Sequence, residues 1–161
     1  MTAIEVLAFL KSEGTAETVE GMTRYGIPND NAFGVPMGTM KKFAKRIGKD
    51  HSLAAELWKA GWYETRTVAV FVDEAAKVTK RQMDSWASDF NNWAICDTAC
   101  FRLFDQTAHA WDKYSELDSL AQGVCATGRV CVDLVTLCSR QRSTEFIVHF
   151  SIGVDRGRTT G

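Results

Sequence analysis

The stretch GVPMGTMKKFAKRIGKDHSLAAELWKAG, Gly34 to Gly61, reads as two short helices with their start and stop signals in place. Pro36 suits a first helical turn because its φ is already fixed near the helical value and its missing N–H is not needed there. Met40, Phe43 and Ile47 then fall on one side, and Gly48 marks the stop. Asp50 can cap a second helix carrying Leu53, Leu57 and Trp58, which ends at Gly61. Two amphipathic helices joined by so short a connection must lie side by side and share an apolar seam.

The same grammar extends in both directions. Upstream, Thr2 and Glu5 form a capping box for a helix over Thr2–Lys11, with Ile4, Leu7 and Ala8 as its apolar repeat. Val19 and Met22 belong to a second helix that ends near Gly26. Downstream, helices are expected over Tyr63–Val72, over Thr79–Phe90 with the box Thr79 and Gln82, and over Trp93–Phe104, followed by a weaker segment over Thr107–Glu116. Asn91 or Asn92 can cap the helix that begins at Trp93. Short paired helices without strand alternation predict an all-α chain, and the pairing suggests a HEAT-like helical-repeat solenoid.

Composition bounds the function classes. The 161 residues are 45% hydrophobic and 24% charged, ordinary for a globular protein. No apolar run approaches bilayer length, and the amphipathic start, with Glu5 inside it, does not resemble a signal peptide. A cytoplasmic location is the default expectation. The five cysteines, Cys96, Cys100, Cys125, Cys131 and Cys138, are odd in number and form no CxxC pair, so they read as reduced thiols. A net charge of −1 leaves open a local basic strip. One is present: Lys41, Lys45 and Lys49 recur every four residues, with Lys42 and Arg46 beside them. Such a strip can follow phosphates, although a solvated helix face is the commoner explanation.

The segment MDSWASDFNNWAICDTAC, Met83 to Cys100, holds the chemistry. Trp93 and Asp97 are four residues apart and share a helical face. A carboxylate beside an aromatic plate suits cleavage of a glycosidic bond to a cationic base. The leaving group already carries charge, so the enzyme must stabilise an oxocarbenium-like sugar and position water. In an anonymous sequence, a core Trp and a solvated Asp explain the same spacing more often. Trp58, Trp62 and Trp86 are most simply core, His51 has a local hydrogen-bonding role, and His109 and His149 lack a metal-ligand spacing.

Four strings change the balance: MTRYGI (Met22–Ile27), GVPMGTMKKFAKRIGKDHSLAAELW (Gly34–Trp58), YETRTVAVFVDE (Tyr63–Glu74) and QMDSWASDFNNWAICD (Gln82–Asp97). In order and spacing they resemble the DNA alkylation repair family, the AlkC/AlkD-like glycosylases built of HEAT-like repeats. The resemblance covers residues 1–116. It implies an alkylpurine DNA glycosylase that hydrolyses the N-glycosidic bond of N3- or N7-alkylated purines in double-stranded DNA. By it Asp97 is the catalytic carboxylate and Trp93 the plate against the lesion's sugar. The implied enzyme acts as a monomer, with no metal or organic cofactor, on a shallow surface rather than in a pocket. The resemblance makes a DNA-facing role for Lys41, Lys42, Lys45, Arg46 and Lys49 a real alternative to a solvated face, and Arg24 and Tyr25 are further backbone-contact candidates. The rival class is a non-catalytic α-solenoid that binds DNA or a protein partner.

The chain changes character near residue 117. All five Trp, all five Met, both Pro and every Lys precede it, whereas three of the five Cys follow it. Val130–Leu137 could be a strand, but it would have no sheet to join. Family members continue for about 100 residues, a typical small-domain length, with a functional arginine in a segment near E-F-V-R-R-A-G-F and a later H-D-K. Codons for Gly123–Cys131, read in another register, permit E-F-V-R-R-A-G-F-V. The same register permits V-H-D-K across Cys138–Gln141. Residues 117–161 are therefore expected to be an out-of-frame, poorly structured tail on a truncated domain.

Overall fold

The computed structural model describes residues 1–25, 27–110 and 112. By packing, the chain divides into Met1–Trp111 and Asp112–Gly161, and the first unit is the one described below. The expectations for the tail, the strand at Val130–Leu137, the boundary at 116/117 and most of the Thr107–Glu116 segment lie outside the described residues.

Among the described residues there are seven α-helices and no strand. They are α1 (Ala3–Glu13), α2 (Ala16–Met22), α3 (Met37–Ile47), α4 (His51–Lys59), α5 (Tyr63–Val72), α6 (Lys80–Ser88) and α7 (Trp93–Arg102). Single 3₁₀ turns follow α2 at Thr23–Tyr25 and α7 at Phe104–Gln106. None of these helices is long and apolar enough to cross a membrane.

Local chemistry sets the helix ends. Thr2 and Glu5 form the reciprocal capping box: the Thr2 N–H donates to Glu5 Oε2 at 2.7 Å, and the Glu5 N–H donates to Thr2 Oγ1 at 3.3 Å. Asp50, Thr79 and Asn92 accept from the third N–H of α4, α6 and α7 respectively. Gly48 ends α3 at φ 84°, a left-handed conformation that favours glycine. Gln82 does not complete the second box. Its amide Nε2 donates to the buried Asp73 carboxylate, 2.7 Å from Oδ2.

Helix α5 is the hub. It packs on α4, α3, α7 and α1, and Glu64, Thr65, Thr67, Val68, Ala69, Val70 and Val72 are all buried. A helix buried on most of its faces loses its amphipathic stripe. Beside it, Trp58 and Trp86 stack at 4.0 Å, and the Trp58 indole N–H donates to Asp89 at 2.8 Å.

In α1 the structure corrects the sequence reading. Val6 and Leu10 are buried and Phe9 stacks on Phe43 at 3.8 Å, whereas Ile4 is 81% exposed and Ala8 faces solvent. Apolar residues lie nearly all round α1, so periodicity alone did not select the buried face.

Before α3, the loop from Ile27 to Pro36 is fixed to the start of α5. The fully buried Glu64 carboxylate accepts the N–H groups of Phe33, Gly34 and Val35 at 3.0, 2.8 and 3.2 Å. Phe33 stacks on Trp62 at 4.1 Å. Gly34 has φ 79°, and a Cβ there would lie 2.3 Å from the Thr15 carbonyl oxygen, so only glycine fits against α2. These contacts set where α3, and its cations, stand relative to α5.

Candidate functional site

Asn92 starts α7 by accepting the Ile95 N–H at 2.9 Å, which makes Trp93 its first residue. One side of the helix is core: Ile95, Cys96, Ala99 and Cys100 are buried. The opposite side carries Trp93, Asp97 and Phe101 at successive four-residue steps. Trp93 is 57% and Phe101 42% exposed, two of the few large apolar side chains on the surface. Both rings are only partly withdrawn from water, one turn on either side of the carboxylate, so this helix face presents an apolar edge to solvent.

Asp97 opens onto a shallow groove of about 260 Å³ between α3 and α7. Its walls are Met37 and Lys41 from α3 and Asp97, Thr98, Phe101 and Arg102 from α7, and Phe71 of α5 completes the lining. Helix α5, packed against both neighbours, holds the two walls apart. The Lys41 ammonium lies 6.0 Å from the centre of the Phe71 ring. Asp97 has no hydrogen bond or ion pair within the described residues. Partial burial therefore acts on it without compensation and raises its carboxyl above the ordinary carboxylate value. By contrast, the carboxylates of Glu64, Asp73 and Asp89 are all held by protein donors.

The structure distributes the other sequence candidates unevenly. Trp93 shares the Asp97 face but lies beyond the groove lining. Lys41, Lys42, Lys45 and Arg46 are exposed, opposite the buried Met40, Phe43 and Ala44 of α3. Lys49 leaves the expected strip, because α3 stops at Ile47 and turns at Gly48. Its ammonium donates to the carbonyls of Phe71 and Asp73 at 3.1 and 2.6 Å, satisfying the end of α5. Arg24 is exposed in the 3₁₀ turn that Tyr25 ends; the Tyr25 side chain lies outside what is described. The hydrogen-bonding role expected of His51 is not local: its Nδ1 lies 2.6 Å from Asp73 Oδ1, just past the end of α5.

Phe101, Arg102 and Phe71 were missed by the sequence reading. The four-residue step from Asp97 was a usable signal for Phe101. Nothing local pointed to Phe71, which joins the site only through packing.

Residues 6–146 match the sequence profile of the family described as DNA alkylation repair enzyme. The chain belongs to the DNA alkylation repair enzyme family. The match carries the relationship past Glu116, beyond the four strings quoted above. Curated proteins gave no significant match. One solved structure is similar to the chain at a TM-score of 0.72 and 21% identity, over 86% of this chain and 56% of its own length. It is described as a new family of proteins related to the HEAT-like repeat DNA glycosylases with affinity for branched DNA structures. At that identity the likeness shows the fold: the all-α, HEAT-like architecture expected from the sequence. This member of the DNA alkylation repair family therefore spans little more than half the length of its structural neighbour.

Proposed function

We propose that the chain derives from an alkylpurine DNA glycosylase, in which Asp97 acts on the sugar of an N3- or N7-alkylated purine nucleotide in double-stranded DNA. The observation that carries this reading is the Asp97 carboxylate, without a partner among the described residues and bracketed on its own helix face by exposed Trp93 and Phe101, with Lys41 across the groove. An ionised carboxylate stabilises the positive charge that grows on the sugar as the bond to the cationic base breaks, and it can orient the attacking water. An exposed indole one turn away covers the sugar face and excludes solvent. Single-turnover release of alkylated purine from a methylated duplex tests the reading directly.

Lys41, Lys42, Lys45 and Arg46 would follow the phosphates beside this site. Affinity for duplex DNA should then fall steeply with salt, and each Lys→Ala change should flatten the log–log slope by roughly one unit. Titrations at several salt concentrations check this; salt-independent binding, or an unchanged slope in the multiple variant, overturns the strip. Lys49 is kept apart from it, since two of its three donors are engaged within the protein.

A second reading is favoured by the affinity for branched DNA described for the structural neighbour. Here the chain binds DNA junctions through the same surface and cleaves nothing. Base release distinguishes the two readings, because a binding scaffold has no use for Asp97. The out-of-frame origin of residues 117–161 is a separate proposal, resting on two family strings in one register; against it stands the family match, which runs on to residue 146. Sequencing the gene around codon 117 tests it, and the absence of an open alternative frame there overturns it.

A further inference from the structure

The groove contains a cation that neither the sequence motifs nor the basic strip of α3 includes. Arg102, the last residue of α7, lines it together with Asp97 and Phe101, and Lys41 stands on the opposite wall. Its side chain is exposed and makes no hydrogen bond, ion pair or ring contact within the described residues. Arginines that stabilise this fold are held differently. Arg66, for example, donates to the Asp89 carbonyl at 2.9 Å and lies over the Trp58 ring at 5.3 Å. Arg102 does not neutralise Asp97 although it shares the groove, and Lys41 does not either. Among the described residues two cations without an anionic partner, Lys41 over the Phe71 ring and Arg102, thus line one groove together with a carboxylate that has no partner either.

An arrangement of this kind suits a ligand that is anionic at its flanks and becomes cationic at its centre. A nucleotide within a DNA strand has that charge pattern: a phosphodiester on each side of a sugar on which positive charge develops. A guanidinium offers a planar fork of donors matched to two phosphate oxygens.

We infer that Arg102 is a DNA-backbone ligand of the Asp97 groove, holding with Lys41 the phosphodiesters that flank the nucleotide facing Asp97. This rests on the reading of the groove as a DNA site proposed above. Arg102 then acts as a positioning residue: it fixes the register of the strand so that the sugar, rather than a phosphate, lies against the carboxylate. The bland alternative is a cation at a helix C-terminus, where it interacts with the helix dipole and stabilises α7.

The two roles separate in one experiment on the full chain. Binding to a fluorescent duplex is measured over a range of salt concentrations for the parent, Arg102→Ala and Arg102→Lys, with thermal melting alongside. For a phosphate ligand, Arg102→Ala flattens the log K against log salt slope by about 0.9, and Arg102→Lys keeps the parent slope because it keeps the charge. The melting temperature of Arg102→Ala should stay near that of the parent. An unchanged slope for Arg102→Ala overturns the inference, with or without a fall in melting temperature, as does a parent chain without salt-dependent binding. Base release is scored separately. If no alkylated purine is released while the slope falls as expected, the glycosylase reading fails and Arg102 stands as a DNA ligand.

Discussion

Asp97→Asn should lower the rate of alkylpurine release by about 10²-fold or more, the usual loss when a preorganised charge is removed from the point where transition-state charge develops. The same change should leave the melting temperature at neutral pH unchanged or slightly raised. Asp97 makes no stabilising contact within the described residues, and burial raises its carboxyl above the ordinary carboxylate value. A carboxyl with a raised folded-state pKa contributes stability below its unfolded pKa, and that contribution is lost as pH rises through the folded value. Activity has the opposite sign, since only the ionised form can meet a cationic sugar. Release rates should therefore climb with pH through the raised value, while the contribution of Asp97 to stability declines over the same interval. Asparagine removes both dependences. Single-turnover rates and melting curves for both proteins across the acidic range check the pair. A variant that lost activity by unfolding would show a lowered melting temperature, and an active Asp97→Asn would exclude Asp97 from the chemistry. The measurement belongs in a chain with the alternative frame restored as well as in the 161-residue one, because the proposed out-of-frame tail predicts a weaker short form.

Glu64→Ala should be strongly destabilising although the residue lies outside the chemistry. The carboxylate receives three backbone N–H groups from residues 33–35. Leaving a buried donor unsatisfied costs about 1–3 kcal/mol. Loss of both acceptor oxygens leaves three donors unsatisfied and should therefore amount to about 3 kcal/mol or more, a large share of the stability of a typical domain. Urea denaturation with an unchanged m-value would report it as a shifted midpoint. Glu64→Gln keeps an acceptor oxygen but turns an NH₂ group toward the same loop, so it should fall between parent and alanine. Because residues 33–35 lead directly into α3, the loosened loop should also weaken DNA binding through displaced Lys41 and Lys45. A loss below about 1 kcal/mol in Glu64→Ala would mean that water replaces the carboxylate and that the loop is not held as argued.

The sequence by itself determined where most helices begin, because those signals act over three or four residues, whereas α6 and α7 end at Ser88 and Arg102, two residues before the expected Phe90 and Phe104. The Thr2 box, the Asp50 and Asn92 caps, the stop at Gly48 and the span Tyr63–Val72 were all legible from neighbours along the chain. For the same reason Trp93 and Asp97 could be placed on one helix face. Tertiary structure alone decided what lies across from them. Nothing local to Lys49 points to carbonyls 22 and 24 residues away, and nothing local to Glu64 points to a loop about 30 residues earlier. The buried face of α1 was likewise open, since Ile4 and Val6 are equally apolar and only the position of Phe43 favours the side bearing Phe9 and Leu10. The groove follows the same rule: Lys41, Phe71 and Asp97 come from three helices, and only the packing of α3 and α7 on α5 brings to one surface a carboxylate and two cations that have no ionic partner among the described residues.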